Sequence, residues 1–111
     1  MNVAVEMCSG KIVVRLEGEL DLLTVKDFRD AVDSFLNSRK GSQLILNLSG
    51  LTFIDSSGIG ALLGRYKKAQ LLGGCVAVTN VQPQVRRILE CSGLVQLFLN
   101  YETEEAALQE L

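Results

Sequence analysis

Val3, Val5 and Met7 alternate with small or polar neighbours, Ile12, Val14 and Leu16 repeat the spacing of two, and Ser9-Gly10 lies between the two runs. A period of two on either side of a turn-forming pair predicts an antiparallel hairpin. Gly18-Glu19-Leu20-Asp21 follows as an expected loop. The period then changes to that of a helix, with Val25, Phe28, Val32, Phe35 and Leu36 on one face. That helix is expected to open at Thr24-Val25-Lys26-Asp27, which resembles a capping box with Asp27 in place of Glu or Gln, and to end near Gly41. Leu44 to Leu48 is almost continuously apolar, as a strand buried on both faces of a parallel sheet would be. Ile59, Leu62, Leu63 and Tyr66 form a second helical stripe. Gly60 and Gly64, four apart on that helix, leave room for a close backbone contact with the sheet or with a partner, the sheet being the expected neighbour. Gly73-Gly74 ends this helix, and Cys75-Val76-Ala77-Val78 predicts another buried strand. A short helix over Val85, Ile88 and Leu89 starts at Pro83, whose ring suits a first turn. A strand near Leu97 to Leu99 and a last helix over 103–111 complete the pattern.

Strands alternating with helices after a hairpin indicate one α/β domain over residues 1–111, with a mixed, mostly parallel sheet and about four helices. Ligands and partners of such folds meet the carboxyl ends of the strands. The segments at Asp21 and at Asp55-Ser56 both follow strands. If those strands are parallel neighbours, the two acidic loops share one edge, and the working surface is expected there.

The rest of the composition mainly excludes functions. A net charge of −2 without a basic run argues against direct nucleic-acid binding, where phosphate neutralisation supplies much of the affinity. No apolar stretch approaches the roughly 18 residues of a membrane span, and no secretory signal is visible. Cys8, Cys75 and Cys91 are odd in number and widely spaced, so reduced thiols packed in the core of a cytoplasmic protein are expected. The chain has no histidine, which removes Ser-His-Asp and Cys-His nucleophiles and histidine-based metal sites. Gly58-Ile59-Gly60 meets Leu63 where a dinucleotide fingerprint needs glycine, and no phosphate-binding GxxxxGK[ST] occurs. Neither catalytic machinery nor a cofactor is expected.

What remains is Leu51 to Gly64, where Ser56 and Ser57 stand between the end of a strand and the start of a helix. Free N–H groups and the positive dipole end make such a place suitable for a capping side chain or a phosphate. Asp55 or a serine acting simply as a cap is the plain alternative. The combination Gly18-Glu19-Leu20-Asp21, Leu46-Asn47-Leu48 and Phe53-Ile54-Asp55-Ser56-Ser57-Gly58-Ile59-Gly60 resembles the STAS domain of bacterial anti-sigma factor antagonists. Leu63-Gly64-Arg65-Tyr66-Lys67 and Cys91-Ser92-Gly93-Leu94 are similar to the sporulation branch, which acts in the sigma-F pathway.

The resemblance implies a single STAS-like domain that takes part in partner switching. The unphosphorylated antagonist binds an anti-sigma factor that is also a serine kinase, and sigma is released. The kinase then phosphorylates Ser56, the complex separates, and a metal-dependent serine phosphatase of the PPM type resets the cycle. Asp21 matches an aspartate associated with the kinase contact; Thr24, Asp55, Ser57, Gly58, Ile59 and Gly60 are the further candidates for the partner surface. Leu22-Leu23 departs from the pattern, since sporulation members often carry histidines there. A general-stress antagonist or scaffold of the same fold is the nearest alternative, and a small ligand-binding domain a more distant one.

Overall fold

The computed structural model describes all residues from Met1 to Leu111. In chain order the elements are β1 (Asn2–Cys8), β2 (Lys11–Leu20), α1 (Val25–Ser38), β3 (Leu44–Ile54), α2 (Ser56–Leu71), β4 (Val76–Thr79), α3 (Pro83–Ser92), a short 3₁₀ turn (Leu94–Gln96), β5 (Leu99–Tyr101) and α4 (Glu104–Glu110). The strands form one sheet in the order β1-β2-β3-β4-β5, antiparallel between β1 and β2 and parallel elsewhere. Each parallel strand is thus added on the same side of its predecessor. Right-handed crossovers in one constant direction place their helices on one face of a sheet. α1, α2 and α3 accordingly cover a single face, over a core that includes Val14, Leu46, Val78, Phe28, Leu62 and Leu89. The other face carries the small cluster of Val13, Ile45, Ala77 and Ala107, the last of these from α4.

α4 opens at Thr103, whose side chain accepts the Ala106 N–H at 3.1 Å. A polar clasp fastens it to the sheet. Arg15 of β2 donates to both carboxylate oxygens of Glu104, at 2.9 and 2.8 Å, and to Glu6 of β1, while Asn47 of β3 donates to Glu104 at 3.0 Å. The hydrogen bonds from Arg15 hold the carboxyls of Glu104 and Glu6 below their ordinary values, and those partners raise the guanidinium of Arg15 further. Between α1 and α2, Arg65 is only 8% exposed, with its Nε 2.9 Å from Asp33 Oδ1. The two charges meet there without the alignment of a hydrogen bond. Burial pulls the Arg65 guanidinium down, and Asp33 opposes that shift.

Several boundaries differ from those expected. Gly18-Glu19-Leu20 is strand, not loop: β2 continues to Leu20 because β3 continues to Ile54 beside it. The inward positions of β3 run Leu44, Leu46, Leu48 and then Leu51 and Ile54. Each of the last two steps is three residues, where the pairing with β2 shifts register and the simple alternation fails. Thr24 occupies the cap position of α1 but its side chain caps nothing, and Asp27 completes no capping box. The expected strand at Leu97 to Leu99 begins only at Leu99. Gly93, at φ +81°, turns the chain into the 3₁₀ segment, and Phe98 is buried edge-to-face on Tyr66 with ring centroids 5.8 Å apart. Cys8 and Cys75 are half-buried, but Cys91 lies on the exposed side of α3 and packs in no core; all three are free thiols. No helix is long and apolar enough to cross a membrane.

Candidate functional site

β3 pairs with β4 only over Leu44 to Asn47, and its second half pairs with β2 alone. Those last residues form a two-stranded overhang at the carboxyl end of the sheet. The chain leaves the overhang at Leu20 and at Ile54, which are paired to each other, so the Asp21 and Asp55 segments emerge side by side. The Asp55 N–H donates to the Leu20 carbonyl at 3.2 Å.

Asp55 is the helix cap. Its backbone is extended, at φ −103° and ψ −173°, and its Oδ1 accepts the Gly58 N–H at 3.0 Å. Its other oxygen, Oδ2, accepts the Leu22 N–H across the gap at 3.3 Å. One carboxylate therefore ties the first turn of α2 to the β2–α1 loop. The loop is also braced from within. Asp21 Oδ1 accepts the Leu23 N–H at 3.1 Å, and Thr24 Oγ1 accepts the Asp21 N–H at 2.9 Å. The Thr24 hydroxyl donates to the Glu19 carbonyl at an O···O distance of 2.9 Å. Asp21 and Thr24 are half-buried. Whatever they present to a partner, they already shape the loop.

Because Asp55 provides the cap, the serines are relieved of that task. Ser56 is the first helical residue and is exposed; Ser57, one residue on, is half-buried. The glycines beyond them divide in a way the spacing did not predict. Gly58 is buried, and a methyl group there would fall 2.6 Å from Ile54 Cγ1 and closer still to the Leu20 carbonyl oxygen. It is thus withdrawn from the surface expected of it, and acts by letting α2 settle on β2. Gly60 and Gly64 show the reverse: neither has anything within 4 Å of an added Cβ, so the close contact with the sheet expected of that pair does not exist. Gly60 lies on the exposed side of α2, one turn beyond Ser56, while Ile59 is half-buried against the core. Of the expected cluster, Asp21, Asp55, Ser56 and Gly60 converge at one edge of the domain, and Gly58 and Ile59 mainly support it from beneath.

Two features of this edge had no signal in the residue pattern. The Asp55 bridge to Leu22 depends on register between distant segments. Leu22 and Leu23, whose place in the loop was evident, stand 72% and 88% exposed on a loop with a fixed backbone. The segment from Leu51 to Gly64 contains no basic residue to pair with an added phosphate. Within that segment the helix end, with its free N–H groups, is what would favour one.

A profile of the STAS domain matches residues 2–107, and the chain belongs to the STAS-domain family. Its sequence is 42% identical to the anti-sigma F factor antagonist of Paenibacillus polymyxa, over the whole of this chain and 97% of that one. Among solved structures it resembles the anti-sigma factor antagonist SpoIIAA in its unphosphorylated form, with a TM-score of 0.83 and 32% identity over 96% of this chain and 93% of the other. It also resembles SpoIIAA, a Bacillus cell fate determinant, in the phosphorylated form: the TM-score is 0.76 and the identity 31%, covering 97% of each chain.

Proposed function

We propose that this protein is an anti-sigma factor antagonist of the sporulation type, gated by phosphorylation of Ser56. In its unphosphorylated form it binds an anti-sigma factor that is also a serine kinase, and the sigma factor is freed in the cytoplasm. Phosphate on Ser56 ends the binding, and a metal-dependent serine phosphatase restores it. The observation that carries this reading is the exposed Ser56 hydroxyl, in the first turn of a helix whose cap is supplied by its neighbour Asp55. Similarity over the full chain to a named anti-sigma F factor antagonist supports the choice of pathway.

The protein acts here as substrate and binding partner. A kinase brings its own nucleotide, metal and base, so the target needs only a reachable hydroxyl. Phosphate adds about −1.5 to −2 charges beside Asp55. With no local arginine to draw the product into a new fold, the change is one of surface charge and bulk where the partner docks.

Incubation with the kinase and ATP, followed by phosphopeptide mapping, tests this reading. Label is expected on Ser56 only. Ser56→Ala should fold within about 0.5 kcal/mol of wild type, since the cap is Asp55; it should bind the anti-sigma factor and resist the kinase. Ser56→Asp should bind weakly. Label on Ser57, or full phosphorylation of Ser56→Ala, refutes the assignment.

A further inference from the structure

A folded chain gains by covering its leucines, yet Leu22 and Leu23 stand 72% and 88% exposed, side by side. They are not on a loose loop. The Leu22 N–H is held by Asp55, the Leu23 N–H by the Asp21 carboxylate, and the N–H groups of Thr24 and Val25 both donate to the Asp21 carbonyl at 3.0 Å. Apolar side chains on a backbone fixed in advance lose little further freedom on binding, which favours a contact that carries affinity. Asp55 also ties this pair to the turn that bears Ser56, so whatever docks on Ser56 meets the leucines too.

The surroundings decide which partner fits. The carboxylates of Asp21 and Asp55 lie against the backbone of the leucines. A second copy docking loop to loop would bring these carboxylates against their own kind, whereas a surface with cationic groups around an apolar recess complements both features. Resting on the antagonist reading above, we propose that Leu22 and Leu23 form an apolar anchor that enters a hydrophobic recess rimmed by cationic side chains on the anti-sigma factor, and that they set this chain's choice among such partners.

Calorimetry with the full chain, the cognate anti-sigma kinase and nucleotide tests the anchor. Leu22→Ser and Leu23→Ser should each weaken binding by roughly tenfold or more, as truncated interface anchors do. The double variant should lose more, at an unchanged thermal midpoint. Leu71→Ser, equally exposed at 87% but at the far end of α2, should bind as wild type. Leu23→Met, which keeps an apolar side chain of similar volume, should retain most of the affinity that Leu23→Ser loses. Failure of the wild type to bind any anti-sigma kinase would remove the antagonist reading and the anchor with it. Wild-type binding with undiminished affinity in a folded Leu22→Ser, Leu23→Ser protein overturns the anchor alone. So does self-association of the free protein that the double change abolishes while kinase affinity stays constant.

Discussion

Gly58 and Gly60 lie two residues apart in one helix, and replacing each with alanine should move stability in opposite directions. Alanine is favoured over glycine by about 1 kcal/mol in a helix interior. At Gly60 nothing opposes that gain, because an added Cβ has no neighbour within 4 Å. Gly60→Ala should therefore be stabilised by about 0.5–1 kcal/mol. At Gly58 the new methyl overlaps the Leu20 carbonyl oxygen, which cannot easily retreat because it accepts the Asp55 N–H. Overpacking of this kind costs about 1–3 kcal/mol, and the upper end applies since backbone, not a side-chain tip, must yield. With the smaller propensity gain of a first-turn position set against it, Gly58→Ala should lose about 2 kcal/mol. For 111 residues the unfolding entropy near the midpoint corresponds to about 4 °C per kcal/mol. Thermal unfolding followed by circular dichroism should show Gly58→Ala melting about 8 °C lower than wild type and Gly60→Ala about 2–4 °C higher. If the edge around Ser56 is the docking face proposed above, calorimetry against the anti-sigma factor should find Gly60→Ala weakened by roughly fivefold or more despite its higher stability, since its methyl would stand on that exposed face. A Gly58→Ala protein as stable as wild type would refute the seating of α2 on β2.

Asp21→Asn keeps the shape of the side chain and the oxygen that accepts the Leu23 N–H, so folding should change by less than about 1 kcal/mol. Its affinity for the kinase, or the rate of Ser56 phosphorylation, should fall; unchanged values for both would refute a role for Asp21 in docking. The clasp on α4 makes a prediction in acid. Glu104 and Glu6 have lowered values in the folded state, so their stabilisation is present above the unfolded value of about 4.3 and is lost as pH falls through the lowered one. Glu104→Gln should cost about 1 kcal/mol at neutral pH, a discounted figure because Arg15 is partly solvated, and should flatten the acid limb of a stability-against-pH curve. Identical acid unfolding in the two proteins would refute the clasp.

Alternation in Val3 to Met7 and Ile12 to Leu16, the helical stripes from Val25 and Ile59, and Pro83 at a first turn were legible because each reports on local geometry. So was the likelihood that two acidic loops meet at one edge, since that needs only parallel neighbours in register. The extension of β2 and β3 was hidden: at Leu48, Leu51 and Ile54 the inward positions step by three, which a test for period two reads as the end of a strand. The roles of the glycines were hidden for a different reason. Gly58 and Gly60 look alike in a row of letters, and only the position of the Leu20 carbonyl distinguishes the glycine the fold requires from the one it leaves in the open. Thr24 has the side chain of a cap but faces the loop before it, where its hydroxyl bonds the Asp21 N–H and the Glu19 carbonyl.

The overhang of β2 and β3 beyond β4 has a consequence for the switch proposed at Ser56. Ser56 stands at the tip of a two-stranded projection, past the last residue that β4 supports, and α2 carries the chain back from there onto the main core. The Ser56 side chain is exposed, so a charge added there points away from the core to which Leu20, Ile54 and Gly58 beneath it belong. Two quantities that often trade against each other, the survival of the fold and the state of a signal, can then vary separately. On the function proposed above, rounds of modification and reset at Ser56 would leave the fold in place and change only how a partner meets this edge.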